Sequence, residues 1–493
     1  MKQTNLYLLF IITILFSFSA YSQKGKPIEE NRNSSADENR LVVSGNQIVN
    51  QKGDTVILRG FGLGGMLHME NFIDGYPANE ETMREGLMEV LGEEKYHLFF
   101  DHFLQSYFTE PDAEYIHSLG LNLVRIPINY HLFEDDMNPR VIKEEAFQHL
   151  DRVIELCAKH QIYTIIDLHA LPGFQNQHWH SDNPTHRALF WKHKDFQDRA
   201  LHLWEVIAER YKDQPWVAGY DLINEPADPG NERVFPYYQR LREAIRKVDP
   251  NHILFIEGNR YAKDFSMFTE VWNDVVYTNH DYAGPGFGGD YPGYIGGRYV
   301  NKDILEQDFL KKSAFMLTNK VPIWVGEFGP VYTGDPEEDE TRYQVLKDQL
   351  AYYDKYQVSW CIWLYKDLGL QAILHQKKDT PYMKLVSAFL SRKDSLGADS
   401  WGSSDKNIRQ VIAPIEELFE KEFPKYDPYP AGQERHIRLL VRNILIAEAL
   451  VPEYSNLFRG LSDDELIALA QSFRFENYVK RDRLEDILTG REK

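Results

Sequence analysis

Two glutamates set the chemistry to be explained. Glu225 lies in LINEP at 222–226 and Glu327 in VGEFG at 325–329, each closing a short apolar run. Other apolar runs finish in the same way. Arg125 lies in NLVRIPI, Asp167 and His169 in YTIIDLHA, and His280, Asp281 and Tyr282 in VVYTNHDY. Trp363, Tyr365, Lys366 and Asp367 close VSWCIWLYK, and Asn224 precedes Glu225. Val, Ile and Leu have no packing reason to lead repeatedly into ionisable groups, which must pair with one another or face a cleft. Two carboxyls so placed can divide one reaction. One, protonated, gives a proton to a departing oxygen; the other, ionised, attacks an acetal carbon. Arg125 and His280 with Tyr282 would keep one carboxyl ionised through donated hydrogen bonds. Asn224 stands where it can bind a substrate hydroxyl. A separation of roughly 5 Å between the carboxyls retains configuration, and roughly 6.5–9.5 Å inverts it.

The elements that must hold these groups can be read from periodicity. Eight runs predict strands, beginning at Val56, Asn122, Tyr163, Val217, His252, Val275, Pro322 and Val358. Each is almost continuously apolar at its start, as a strand covered on both faces reads. Amphipathic helices alternate with them, for example EEAFQHLDRVIELCAKH from Glu144, with Phe147, Leu150, Val153, Ile154 and Cys157 on one stripe. The pattern predicts an α/β fold, a (β/α)8 barrel over residues 41–390, with its chemistry at the C-terminal strand ends. A hairpin with Gly53-Asp54 at its turn opens it. An open doubly wound sheet is the alternative, but GFGLGG at 60–65 lacks the spacing of a dinucleotide-binding loop. Residues 391–410 read as a polar linker. Residues 411–493 read as a helical extension packing on the barrel, with a capping box at Ser462 and Glu465.

The chain has 493 residues, 55 basic and 75 acidic, for a formal charge of −20, and 13% of them are aromatic. That balance argues against nucleic acid or an anionic membrane as partner and suits an uncharged substrate. Residues 1–22 read as a signal peptide, with Lys2, an apolar run from Leu6 to Phe18 and small residues before a cut at Gln23; an uncleaved anchor is the other reading. A polar leader, 23–40, follows, so the mature protein is expected to be secreted and free of the membrane. Cys157 and Cys361 fall in a helix and a strand pattern and are expected as buried thiols.

The motifs resemble glycoside hydrolase family 5, retaining barrel enzymes whose acid/base and nucleophile stand on strands four and seven. LINEP and VGEFG look like its two signatures. LRGFGLGGMLHMENF from Leu58 is similar to the first-strand region of the exo-β-glucanase branch, and Glu70 falls on an acidic residue that there touches the terminal sugar. NLVRIPI carries the family's arginine, Arg125. IIDLHALPGFQN carries its substrate-binding histidine, His169. NHDY carries its His-x-Tyr, His280 and Tyr282, and Trp363 falls on its platform tryptophan. The resemblance spans residues 41–390. It implies hydrolysis of a β-linked glucan or glucoside by double displacement, Glu327 attacking and Glu225 acting as acid and base, without cofactor or metal. Met66 and WLYKDLGLQ depart from the family pattern and bear on the substrate. A mannanase, a xylanase, a glycosylceramide-directed enzyme or a barrel that binds sugar without catalysis are the alternatives.

The loop QNQHWHSDN at 175–183 offers Trp179 as a sugar-stacking residue. Its His178 and His180, with His186, read as exposed loop histidines; a zinc site is the other reading, although no helical His-x-x-x-His accompanies them. The glycine-rich stretch 283–297 is expected as a loop over the cleft.

Overall fold

The computed structural model describes residues 38–398 and 401–491. The leader at 1–22 and the polar stretch up to residue 37 lie outside the described residues. Eight parallel strands close a barrel: β1 (Arg59–Gly62), β2 (Leu123–Asn129), β3 (Tyr163–Ala170), β4 (Val217–Asp221), β5 (Ile253–Glu257), β6 (Val275–His280), β7 (Ile323–Phe328) and β8 (Ser359–Ile362). They pair in sequence order, and β8 returns to β1 through Cys361 opposite Gly60. Every predicted strand is present. Buried side chains such as Leu123, Ile165, Phe255, Val276, Trp324 and Cys361 fill the barrel floor, and a second, larger core joins the strands to the surrounding helices. Cys157 and Cys361 are both buried and unbridged.

Close approach explains the glycines of the first strand. A Cβ on Gly60 would meet the Leu123 carbonyl oxygen at 1.7 Å, and one on Gly62 would meet the Trp363 ring at 2.5 Å. The glycine run thus seats an indole against the sheet; no phosphate loop is needed to account for it.

The N-terminal hairpin differs from the reading in its turn. Val42–Ser44 pairs with Gln47–Val49 across Gly45-Asn46, and Gly45 takes φ 61°, a left-handed value that glycine adopts without strain. A second turn is centred on Gln51-Lys52 and closed by the Gly53 amide donating to the Asn50 carbonyl; it brings Thr55 against Val49.

Beyond the last barrel helix (Pro381–Ser395), helices occupy Arg409–Glu422, Gln433–Leu439, Ala447–Asn456 and Asp463–Gln471. The capping box of Ser462 and Glu465 starts the last of these. Ala447–Asn456 packs on Glu80–Leu91, and Asp463–Gln471 packs on Glu93–Tyr107. Phe103 and Phe473 meet edge to face at 4.8 Å across that seam. Tyr478–Lys480 adds a strand beside Leu374–Gln376.

Some strand-end polar groups serve this architecture and not the cleft. Lys366 is fully buried, paired with Asp112 at 2.5 Å and bonded to the carbonyls of Tyr107 and Phe473. Tyr365 donates to Asp112. Asp367 accepts from the amides of Gly369, Gln371 and Ala372. Asp281 is engaged by Lys312, Tyr352 and Tyr353.

Candidate active site

At the C-terminal end of the barrel lies a cavity of 830 Å³, lined among others by Glu70, His169, Trp179, Asn224, Glu225, Tyr282, Glu327 and Trp363. Arg125 and His280 stand directly behind them, both fully buried. All ten residues singled out in the sequence therefore meet at one place. An oxygen of Glu225 and an oxygen of Glu327 lie within 4.8 Å of each other, with His280 Nδ1 2.7 Å from Glu225 Oε1 and 3.6 Å from Glu327 Oε2.

Arg125 organises the floor. It sits inside β2, with Ile126, Pro127, Ile128 and Asn129 still to follow in the strand, and projects from there into the barrel. Its Nη1 donates to Glu327 Oε1 at 2.7 Å, and Nε and Nη2 donate to Asp221 Oδ2 at 3.0 and 2.9 Å. Nη2 also reaches Asn224 Oδ1 at 2.8 Å, Asp167 Oδ2 at 3.1 Å and Glu257 Oε1 at 3.3 Å. A planar guanidinium with five donors suits such a cluster where a point charge would not. Burial, opposed by Arg125, raises Asp167 well above the ordinary aspartate value. Burial and the neighbouring Glu257 raise Asp221 in the same way. Removing the cation would leave buried carboxylates uncompensated. Arg125→Met is expected to cost about 3–5 kcal/mol of stability, read as a lower urea midpoint. An unchanged midpoint would refute this account of the floor.

Glu327 ends β7 held from both sides, by Arg125 at Oε1 and by the Tyr282 hydroxyl donating to Oε2 at 3.0 Å. Glu225 follows β4 with φ 48°, in a left-handed region that is costly for a residue carrying a Cβ. Its amide donates to Glu257 Oε2 at 2.7 Å, which fixes the turn. Glu257 is thereby a hub, bonded also to Arg125 and lying 3.2 Å from His280 Nε2. It closes β5 in HILFIEG, the same strand-end signal that marked the other residues, and was not singled out in the sequence.

His280 Nδ1 lies 2.7 Å from Glu225 Oε1. Burial works against a charged imidazole there, but Glu257, Glu327 and Glu225 outweigh it and raise His280 well above the ordinary value. Burial pushes the Glu225 carboxyl up, whereas hydrogen bonds from His180 and His280 bring it well below the usual range. That direction holds while both imidazoles donate. At His180 a second arrangement is built in. Its Nε2 lies 3.1 Å from Glu225 Oε2 and 2.9 Å from Asn176 Nδ2. Asn176 Oδ1 accepts from the His178 amide, so the amide nitrogen of Asn176 is the group that faces His180 and donates. With Nε2 as the acceptor, its single lone pair is shared between the Asn176 amide and an acid proton on Glu225 Oε2. The site thus accommodates both states of one carboxyl.

His169 is fixed more simply. Nδ1 donates to Asp167 at 2.7 Å and Nε2 accepts from Asn224 Nδ2 at 3.2 Å. Burial keeps its pKa well below the ordinary value, so the ring is neutral. It stacks on Trp363 at 5.4 Å and 7°. Glu70 lies 3.8 Å from its Nε2.

The loop histidines are not exposed as expected. His178 and His186 are buried, His180 meets Glu225, and His186 Nε2 lies 3.1 Å from His436 Nδ1 in the extension. Their sequence carried no helical spacing because the loop folds back over the barrel mouth. Among the described residues, no trio of ligand atoms within 4.8 Å includes any of the three. Ala283, Gly284 and Phe287 of the glycine-rich stretch do line the cavity. So do Trp401, Pro430, Ala431 and Arg435, all beyond the barrel domain and unforeseen in the sequence.

Comparison with known proteins agrees with this geometry. The family model for cellulase (glycosyl hydrolase family 5) matches residues 93–369. The chain is 48% identical over 464 residues to a beta-xylosidase of Phanerodontia chrysosporium, covering 91% of this chain and 97% of that one. Ninety-one per cent of 493 residues reaches past Arg435 wherever the match begins, so this likeness takes in much of the extension. It is 23% identical over 337 residues to endoglucanase C of Acetivibrio thermocellus, covering 61% of this chain and 95% of that one. A solved structure of a glycoside hydrolase overlays with a TM-score of 0.49 at 21% identity, over 63% of this chain and 89% of the other. A closed eight-stranded parallel barrel, paired glutamates at its mouth and a family match over more than half the chain lead to one conclusion: this protein is a glycoside hydrolase and belongs to family 5, the cellulase family.

Proposed function

We propose that the protein is a secreted retaining β-glycosidase that removes a terminal sugar, with Glu327 as nucleophile and Glu225 as acid and base. The carrying observation is the short gap between the two carboxyls, within 4.8 Å oxygen to oxygen. A gap that short favours the roughly 5–5.5 Å spacing of a double displacement over the roughly 6.5–9.5 Å of an inverting one.

In this reading Glu327, aimed by Arg125 and Tyr282, attacks the anomeric carbon. Glu225 protonates the departing oxygen from Oε2. The proton is available because a protonated Oε2 can share the His180 Nε2 lone pair with the Asn176 amide, and because His280 stands beside Oε1 as a second store. A covalent glycosyl-enzyme results. Glu225, now ionised and steadied by His280, takes a proton from water, which attacks the same carbon and restores Glu327. Asn224 Nδ2, which donates to His169 Nε2, is placed for a hydroxyl next to the anomeric carbon. Trp363, Glu70 and Trp179 supply a stacking face, an acceptor and a wall.

The substrate is proposed from similarity. A likeness of 48% over nine tenths of the chain to a beta-xylosidase outweighs 31% over 241 residues to a probable glucan 1,3-beta-glucosidase A of Emericella nidulans. A terminal β-xyloside is therefore the first choice, and the β-glucoside that the first strand suggests is the second. Trp401 supports removal of an end sugar. Its ring packs against Tyr282 at 5.3 Å, Phe287 at 4.9 Å and Phe72 at 5.9 Å, closing the side of the cavity beyond Glu327. Among the described residues no helix is long and apolar enough to cross a membrane, and the N-terminal apolar run supports export.

The test is a panel of aryl β-xyloside, aryl β-glucoside and their oligosaccharides, with product configuration followed by NMR. The expected first product is the free β-anomer of a monosaccharide. An α-anomer, or release from chain interiors, would overturn the proposal.

A further inference from the structure

The cavity has two unlike ends. The end beside Glu327 and Tyr282 is closed by aromatic rings. The end beside Glu225 carries Arg260, Lys263 and Arg435. In a chain of charge −20, most basic side chains near the barrel mouth have a carboxylate within reach, as Arg233 has Asp228 and Lys312 has Asp281. Among the described residues these three have none within 4.0 Å; the one contact of this kind is Arg260 lying over the Tyr429 ring at 5.8 Å. The carboxylate next to them, Asp264, accepts instead from Asn231 Nδ2 and the Ser266 amide. All three cations are exposed at the cavity mouth, and like charges gathered there make a positive field that draws an anion. Desolvation by burial against the wall holds Lys263 below the ordinary lysine value; Glu225 opposes this, and the charges of Lys312, Arg435 and Arg260 add to it.

The backbone gives a second, independent sign. Arg260, Tyr261 and Ala262 take φ of 54°, 60° and 57° in succession. Left-handed residues other than glycine cost about 1–3 kcal/mol each and persist where the surroundings force them, often at ligand clamps. Here the Tyr261 amide donates to the carbonyl of Pro226, the residue after Glu225, so the strained loop is tied to the acid. Arg435 arrives from the extension, on the helix Gln433–Leu439, whose His436 is bonded to His186.

We propose that Arg260, Lys263 and Arg435 form a leaving-group subsite for an acidic sugar, the carboxylate of a hexuronate lying among the three cations. The extension, which lies beyond the matched family region, would then take part in substrate choice. This rests on the double-displacement reading, since the sugar next to Glu225 is the one released and the one that can return as an acceptor.

The full chain is trapped with a 2-deoxy-2-fluoro-β-xylosyl fluoride, and recovery of activity is followed in D-glucuronate and in D-glucose at equal concentration. Glucuronate is expected to speed recovery at least tenfold more than glucose. That ratio should fall at least threefold in Lys263→Gln and in Arg435→Gln, return in Arg435→Lys, and shrink in the unmodified enzyme between 0.05 and 0.5 M salt, as screening requires. Equal recovery in the two sugars, or a ratio indifferent to salt and to both substitutions, overturns the subsite while leaving the mechanism standing. If no fluoro-sugar adduct accumulates, the mechanism itself fails and the subsite with it.

Discussion

Glu327→Gln is expected to lower kcat/KM by about 10⁴-fold or more, the scale on which a covalent nucleophile is lost. The carboxamide has nearly the shape of the carboxylate, so the aromatic wall and the fold should survive. It cannot form the ester bond to the anomeric carbon, and its NH2 would oppose either Arg125 Nη1 or the Tyr282 hydroxyl, which meet Glu327 at 2.7 and 3.0 Å. Two measurements decide the matter. Mass spectrometry of the enzyme trapped with the fluoro-sugar should place the label on the peptide containing Glu327. Initial rates on an aryl β-xyloside should fall as stated while the urea midpoint moves little. Activity within tenfold of the unmodified enzyme would remove Glu327 from the role.

Glu225→Ala should leave a different signature. Loss of general acid catalysis costs about 10²–10⁴-fold, and the full cost should appear with sugar leaving groups, which need the proton. Aryl leaving groups of low pKa depart without it, so their first step should be nearly spared and the second step should limit. Azide, small enough for the space vacated by the carboxyl and needing no base, should restore turnover and give a β-configured glycosyl azide. The pH profile supplies the sign. In the unmodified enzyme the basic limb marks loss of the proton held between Glu225 and its two imidazoles, so activity falls as pH rises through it; in Glu225→Ala that limb should be gone. An α-configured azide, or an unaltered basic limb, would show that the acid is some other group.

The parts of this site visible in the sequence share one physical property. A barrel strand is covered on both faces, so its polar residues stand out against Val, Ile and Leu, and the order of the strands fixes the order of the site. Glu225, Glu327, Arg125, His169 and His280 were legible for that reason. Glu257 carried the same mark at the end of HILFIEG and was passed over. The same rule also over-reached. Lys366, Asp367 and Asp281 have the spacing of site residues, yet their partners are Asp112, the amides of residues 369–372 and the tyrosines at 352 and 353. A charge at a strand end must find a partner, and the strand cannot say whether that partner is a ligand or a neighbouring helix.

His180 shows where loops defeat reading by pattern. Nothing in QNQHWHSDN separates it from His178 or His186; only the path of the chain over the barrel mouth sets its Nε2 between Asn176 and Glu225. The extension is the larger case. Trp401 and Arg435 follow the last strand by some 40 and 70 residues, one in a polar stretch and one in the helical extension. They line the cavity because Trp401 packs on Phe72, Tyr282 and Phe287, and because the helix that bears Arg435 is bonded through His436 to His186.

The amino-acid order alone determined the barrel, the order of its strands and the strand-end positions of the two glutamates, because periodic burial and strand-end polarity are local properties that each segment carries for itself. Folding in three dimensions decided which charges face the cavity, which proton arrangement Glu225 can adopt and how the far end of the chain encloses the cleft. Those depend on contacts between segments hundreds of residues apart, such as Arg125 with Glu327 and His186 with His436, and no segment holds them by itself.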